Sequence, residues 1–244
     1  MIDGLERAVR MLDLFSSDTP EWTVADVCAA LDLPKTTVWD GMQSMVDLGL
    51  LRRTGRGRYR LGWRSFQLGL RSRATSEISG PAWTEMRALV DTHHQTVQLA
   101  TRYRGEVVYL EKIAPHTGVR VNATRPGERL PAHCTAVGKV LLARLSPSDL
   151  RDVCGEPKPR TPRSITTLAE LETELSSVRQ RGYALDVGEA VEGMCCVAAP
   201  ISNRHGDVPW ALSMSFPEHR RASHGDAYLR DVLEATRRLS EHAP

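Results

Sequence analysis

The segment Leu33–Met45, LPKTTVWDGMQSM, decides how the N-terminal part of the chain is read. Wound at 3.6 residues per turn, it sets Val38, Met42 and Met45 along one stripe, with Val46 at its edge. The opposite side carries Thr36, Asp40, Gln43 and Ser44, with Trp39 on the flank and Gly41 in the middle. Pro34 falls in the first turn, where a missing N–H costs little. Such a helix is either solvated on its polar side or reads a partner with it.

Working outward, Ile2, Leu5, Val9 and Leu12 are spaced as one helical stripe over residues 2–15. After the break SSDTPEW, Thr23 and Asp26 form a capping-box pattern for a short helix with Val24, Val27, Cys28 and Leu31 inward. Asp32 and Leu33 make a tight turn into the quoted helix, which stops at Gly49 as a left-handed cap. LLRRTGRGRYRL, residues 50–61, reads as two strands joined by a glycine-bearing turn. The order helix, helix, tight turn, helix, hairpin is a winged helix-turn-helix plan over residues 1–62, with the third helix pointed outward.

Residues 63–80 put Trp63, Phe66 and Leu70 on one side of a linker helix, punctuated by Gly80 and Pro81. In residues 81–244 the pattern changes. TVQLATRYRGEVVYLEKI alternates around Arg104-Gly105 as a hairpin, and GVRVNAT reads as a further strand. CTAVGKVLLARL and SPSDLRDVC read as helices, followed by a Pro- and Arg-rich loop over 155–163. Thr167 with Glu170 caps a helix ending at Gly182. YALDV, MCCVAAPI and PWALSMSF are strands, and DAYLRDVLEATRRL is a final amphipathic helix. Runs of strands and helices without strict alternation predict an α+β domain on an antiparallel sheet, long enough to bury its own core.

The 244 residues carry a net charge of +2, with 25% charged and 41% apolar residues. That balance is ordinary for a soluble globular chain and announces neither nucleic acid nor a membrane. No apolar run approaches ~18 residues, so no membrane span is expected. The opening MIDGLERAVRM breaks its apolar residues with Asp3, Glu6 and Arg7, so no signal-peptide core is expected either. Five cysteines, with only Cys195 and Cys196 adjacent, do not make a disulfide framework. The expected compartment is a reducing cytoplasm.

Within residues 1–62, eight Lys/Arg stand against nine Asp/Glu, and five of the eight cations fall between Arg52 and Arg60. A hairpin so loaded, with Arg56 and Arg58 at its turn, suits phosphates or a minor groove. The helix beside it offers Lys35, Thr36, Thr37 and Gln43 at the end that approaches base edges and phosphates. Trp39 is either a base contact or a flank residue packed on a neighbouring helix. Gly41, on the side assigned to the second helix, points to close helix packing.

With those residues in view, ERAVRMLDLF and TVADVCAALDLPKTTVWDGMQSMVDLGLLRRTGRGRYRLG resemble the N-terminal domain of the IclR family of bacterial transcriptional regulators. The family pattern has, after its LPKTTV-like start, an aromatic or His, here Trp39, then Arg, then paired apolar residues. This chain departs from it with Asp40-Gly41 in place of the Arg and the first apolar residue. Asp40 repels phosphate yet accepts a hydrogen bond from cytosine N4, so the departure bears on operator sequence.

Catalytic signatures are missing from the second domain. There is no G-x-S-x-G, H-E-x-x-H or C-x-x-C, and AVGKV lacks the frame of a phosphate loop. Cys196, His133 and Asp186 could form a nucleophile set, and His133, Cys134, Cys195 and Cys196 a metal site, though without zinc-like spacing. Mid-strand thiols are more commonly small buried apolar groups.

The resemblance extends over LPAHCTAVGKVLLA, GYALDVGEAVEGMCCVAAPI and ALSMSFP, three family motifs in matching order. It implies a GAF-like domain that binds a small effector, commonly a carboxylic acid, and no cofactor, metal or enzymatic activity. It points to Ala136, Val137, Asp186, Cys196, Ser213 and Ser215 as the effector residues, with Ala136-Val137 where relatives often carry Gly-Ala. Ser213 and Ser215, two apart on one strand, share a face and can donate hydroxyl protons. The resemblance also implies a repressor or activator that pairs through its N-terminal domains on palindromic double-stranded operator DNA, as a homodimer or homotetramer. A metal- or thiol-responsive regulator with the same DNA-binding domain is the alternative.

Overall fold

The computed structural model describes residues 4–76, 78–116 and 124–243. The chain divides into two compact units, Met1–Ser76 and Glu77–Pro244. The first contains α1 (Gly4–Leu12), β1 (Trp22–Thr23), α2 (Val24–Leu31), α3 (Lys35–Asp47), β2 (Leu51–Gly55), β3 (Arg58–Leu61) and α4 (Trp63–Ala74). Its core gathers Met11, Val27, Val38, Met42, Met45, Leu51 and Tyr59, so the apolar stripe of α3 is the one buried.

Local chemistry fixes the boundaries. The Thr23 hydroxyl accepts the Asp26 N–H at 3.2 Å while the Asp26 carboxylate accepts the Thr23 N–H at 3.1 Å, the capping box that starts α2. Asp32, in the left-handed region at φ 52°, turns the chain toward α3. Pro34 stands one residue earlier than expected, at the cap rather than inside the first turn. At the other end Gly49 takes φ 75°. Its N–H bonds the Val46 carbonyl at 2.9 Å and that of Leu50 bonds Met45 at 2.8 Å, a Schellman closure.

Three details differ from the sequence reading. In α1 the inward side is Ala8, Met11 and Leu12; Leu5 and Val9 are 72% and 45% exposed, and Ile2 lies outside the described residues. Gly41 faces α1 rather than α2, because a Cβ there would stand 3.2 Å from the Met11 sulfur. Trp22 and Thr23 pair with β3, giving a three-stranded sheet in the order β1-β3-β2.

The second unit contains α5 (Ser79–His93), β4 (Thr96–Tyr103), β5 (Glu106–Ile113), β6 (Arg129–Pro131), a 3-10 turn (Ala132–Cys134), α6 (Ala136–Leu142), α7 (Pro147–Cys154), α8 (Leu168–Arg181), β7 (Ala184–Val187), β8 (Met194–Ile201), β9 (Trp210–Pro217) and α9 (Arg221–His242). The strands form one antiparallel sheet in the order β6-β5-β4-β9-β8-β7. One face packs Val97, Leu99, Val197, Leu212 and Met214 against α5 and α9. The other packs Ala100, Val107, Ala198 and Ala211 against α6 and α8.

The helix α5 departs from the sequence reading, since Gly80 and Pro81 open it instead of closing the preceding helix. The expected strand GVRVNAT falls outside the described residues except for Thr124, and β6 takes a place that sequence alone does not indicate. Among the described residues no helix is long and apolar enough to cross a membrane.

Candidate functional site

On the first unit, Lys35, Thr36, Trp39 and Asp40 are exposed along α3, and Thr37 and Gln43 are partly so. Trp39, at 50% exposure, is a free edge of the helix and not a packed flank. Gln43 is already engaged. Its carbonyl accepts from Arg53 on β2, and its amide donates to Asp47 at 3.4 Å. Arg56 (φ 49°) and Gly57 (φ 72°) are both left-handed, the paired geometry of a tight hairpin turn, and they put Arg56 and Arg58 at the exposed tip. The other cations of the hairpin have partners. Arg60 pairs with Glu21 at 3.0 Å, while Arg52 and Arg53 lie over the rings of Trp63 and Tyr59.

On the second unit, Ala136, Val137, Asp186, Cys196, Ser213 and Ser215 all line one small cavity of about 20 Å³, together with Tyr109, Thr124, Leu130, Thr135, Ala190, Val191 and Met194. Strand register assembles the wall. Asp186 lies opposite Cys196, Cys196 opposite Ser215, and Ser215 opposite Thr96, so one row crosses four strands. The neighbouring row sets Ser213 against Gln98. Both serines are buried, and neither faces bulk water.

On the facing side, the Thr135 hydroxyl accepts the Gly138 N–H at 3.1 Å and the Thr135 carbonyl accepts that of Lys139. The Ala136 and Val137 N–H groups then have no partner inside the helix. Gly138 is required there, because a Cβ would meet the Ala132 carbonyl oxygen at 2.1 Å.

Asp186 Oδ1 accepts the Glu189 N–H at 2.7 Å and the Ala190 N–H at 3.4 Å, tying the cavity wall to the loop after β7. Burial pushes the Asp186 carboxyl up to about 7, against the Glu189 N–H that stabilises its charge. The same loop is held from behind. Lys139, 2% exposed, reaches Glu189 at 2.6 Å. Thr161 donates its hydroxyl to the Gly188 carbonyl at 2.7 Å, and Ser164 donates its own to the Glu189 carbonyl at 2.7 Å.

The thiol chemistry is muted. Burial pushes Cys134 up to about 12 and Cys195 up to about 11, and holds Cys196 well above the ordinary thiol range, so all three stay protonated near neutrality. His133 gives its Nε2 to the Lys158 carbonyl at 3.0 Å. Among the described residues no three His, Cys, Asp or Glu side chains cluster to hold a metal.

Sequence reasoning missed Gln98, Thr124, Tyr109 and Thr135. The alternation Thr96-Val97-Gln98-Leu99 resembles a half-solvated strand. Helices covering both faces of the sheet turn its polar side into a cavity wall.

The model for the bacterial transcriptional regulator IclR C-terminal domain matches residues 74–241, and that for the IclR helix-turn-helix domain matches residues 4–55. The transcriptional regulator XynR of Escherichia coli is 32% identical over 88% of this chain and 86% of its own length. The crystal structure of an IclR transcriptional regulator from Alicyclobacillus acidocaldarius superposes with a TM-score of 0.87 at 25% identity, covering both chains in full. An IclR homologue from Microbacterium hydrocarbonoxydans, complexed with 4-hydroxybenzoate, superposes with a TM-score of 0.82 at 28% identity over 98% of each chain. The winged helix-turn-helix unit and the α+β unit on its antiparallel sheet are thus the two halves of a transcriptional regulator, and the chain belongs to the IclR family.

Proposed function

We propose that the second unit binds a small carboxylic acid in the cavity lined by Ala136, Val137, Asp186, Cys196, Ser213 and Ser215, and that the ligand sets the DNA affinity of the first unit. The observation that carries this reading is the convergence of those six residues, distant in sequence, on one largely apolar cavity whose wall carries the Ser213, Ser215 and Asp186 polar groups. The 4-hydroxybenzoate complex of the Microbacterium homologue supports an acid as occupant. DNA is read by Lys35, Thr36, Thr37, Trp39, Asp40 and Gln43 on α3, while Arg56 and Arg58 hold phosphates beside it. Gln43, tied to Arg53, reads as part of a helix–hairpin unit rather than alone.

Two copies pair so that their α3 helices enter successive major grooves, about 34 Å apart on one face of a palindromic operator. The ligand acts only through differential affinity: a tenfold preference for one arrangement shifts the equilibrium by ~1.4 kcal/mol.

The test is selection of duplexes from a random library by the full chain, followed by titration of the selected duplex with and without small carboxylates. A palindrome whose affinity changes severalfold with one acid is expected. Recovery of no preferred duplex would overturn the DNA reading. A preferred duplex indifferent to every acid that binds would overturn the switch.

A further inference from the structure

Resting on the reading that this cavity holds a small acid, we propose that Gln98 makes the site selective for hydroxy acids, by holding the serine hydroxyl protons of β9 away from the cavity. Gln98 is 1% exposed, at the base of the polar wall. Its Oε1 accepts from Ser213 Oγ at 3.1 Å and lies 3.2 Å from Ser215 Oγ. Its Nε2 donates to Ser215 Oγ at 3.1 Å and to Thr124 Oγ1 at 3.2 Å.

A serine hydroxyl has one proton and two lone pairs. The proton of Ser213 is committed to Gln98, so what Ser213 turns toward the cavity is lone pairs. Ser215 accepts from the Gln98 amide and lies 3.1 Å from Cys196 Sγ, a contact in which either group can donate. Asp186, on the same face two strands over, adds a carboxyl oxygen. The sheet side of the cavity is therefore rich in acceptors.

A ligand carboxylate laid against that wall would meet lone pairs. A ligand hydroxyl would supply the missing donor. The sequence alone suggests the opposite polarity, with the serines donating; the buried amide reverses it. Gln98 is a positioning residue here, acting through Ser213 and Ser215.

The test measures dissociation constants of the full chain, by calorimetry, for two matched pairs: 4-hydroxybenzoate with benzoate, and lactate with pyruvate. Within at least one pair the hydroxy acid should bind about tenfold tighter or more, since a site built for a hydroxyl rejects the analogue lacking it. Gln98→Met, similar in volume but without the amide, frees the serine protons and should collapse that ratio toward one. Ser213→Ala should weaken the hydroxy acid more than its partner and so lower the ratio.

Equal binding within both pairs by the wild-type chain overturns the selectivity while leaving the acid cavity standing. A ratio unmoved in both variants overturns the role of Gln98, and Ser213→Ala with the wild-type ratio decides the matter if Gln98→Met does not fold. Binding of none of the four acids overturns the acid reading and this proposal with it.

Discussion

Asp186 shows what burial does to a single residue. Its ordinary carboxyl value is 3.8, and burial in the cavity wall raises it to about 7. Between those values the folded chain holds a proton that the unfolded chain has released. Stability therefore falls as pH rises through this window and levels off above about 7. Asp186→Asn removes the titration yet keeps an oxygen to accept the Glu189 and Ala190 N–H groups. Its melting temperature relative to wild type should thus rise between pH 5 and pH 8, by the equivalent of a few kcal/mol at most, at ~1.4 kcal/mol per unit. Glu189, also pushed up by burial, repels the Asp186 charge, so the difference reports the titration of the pair. A gap constant with pH would mean Asp186 is ionised throughout. The cavity residues carried by motif resemblance are legible as a set, because each lies in a short distinctive stretch. Gln98 is not, because its role comes from register against β9, which no local pattern encodes.

At the scale of elements, legibility follows the strength of local signals. The helices α2 and α8 announce themselves with capping boxes, and both boxes are formed. The helix α5 shows apolar spacing at Ala82, Met86, Leu89 and Val90, but Gly80-Pro81 reads as a stop where it is a start; proline is welcome in a first turn. The two-residue β1 is too short to show any alternation. The hairpin of β2 and β3 is legible down to its turn, and its tip carries the next prediction. Arg56→Asn with Arg58→Gln keeps a residue tolerant of the left-handed region at 56 while removing both charges. Affinity should fall for every duplex tested. The slope of log affinity against log salt should flatten by about 0.9 for each phosphate the hairpin no longer neutralises. Fluorescence anisotropy across a salt series measures both. A slope that does not change would take the hairpin off the DNA backbone.

For the molecule as a whole, the two-part plan is readable in the sequence because each unit closes its own core; how copies assemble depends on surfaces that folding leaves uncovered. Trp63, Phe66 and Leu70 form one stripe on α4 and remain 72%, 60% and 48% exposed, and Leu5 and Val9 on α1 are likewise outside the core of the same unit. Apolar surface of this kind marks an interface, and the proposed reading of a palindrome needs a second copy of the chain. The stripe is thus expected to be covered by the partner chain. Phe66→Lys with Leu70→Glu, spaced four apart on the helix, replaces it with an opposite-charge pair. Since both side chains are exposed, the thermal stability of the individual chain should move by no more than about 0.5 kcal/mol. The mass measured by light scattering at micromolar concentration should halve. Affinity for a duplex with two half-sites should drop while that for a single half-site is retained, because only the link between copies has been cut. A variant that keeps its wild-type mass would show that the pairing surface lies elsewhere.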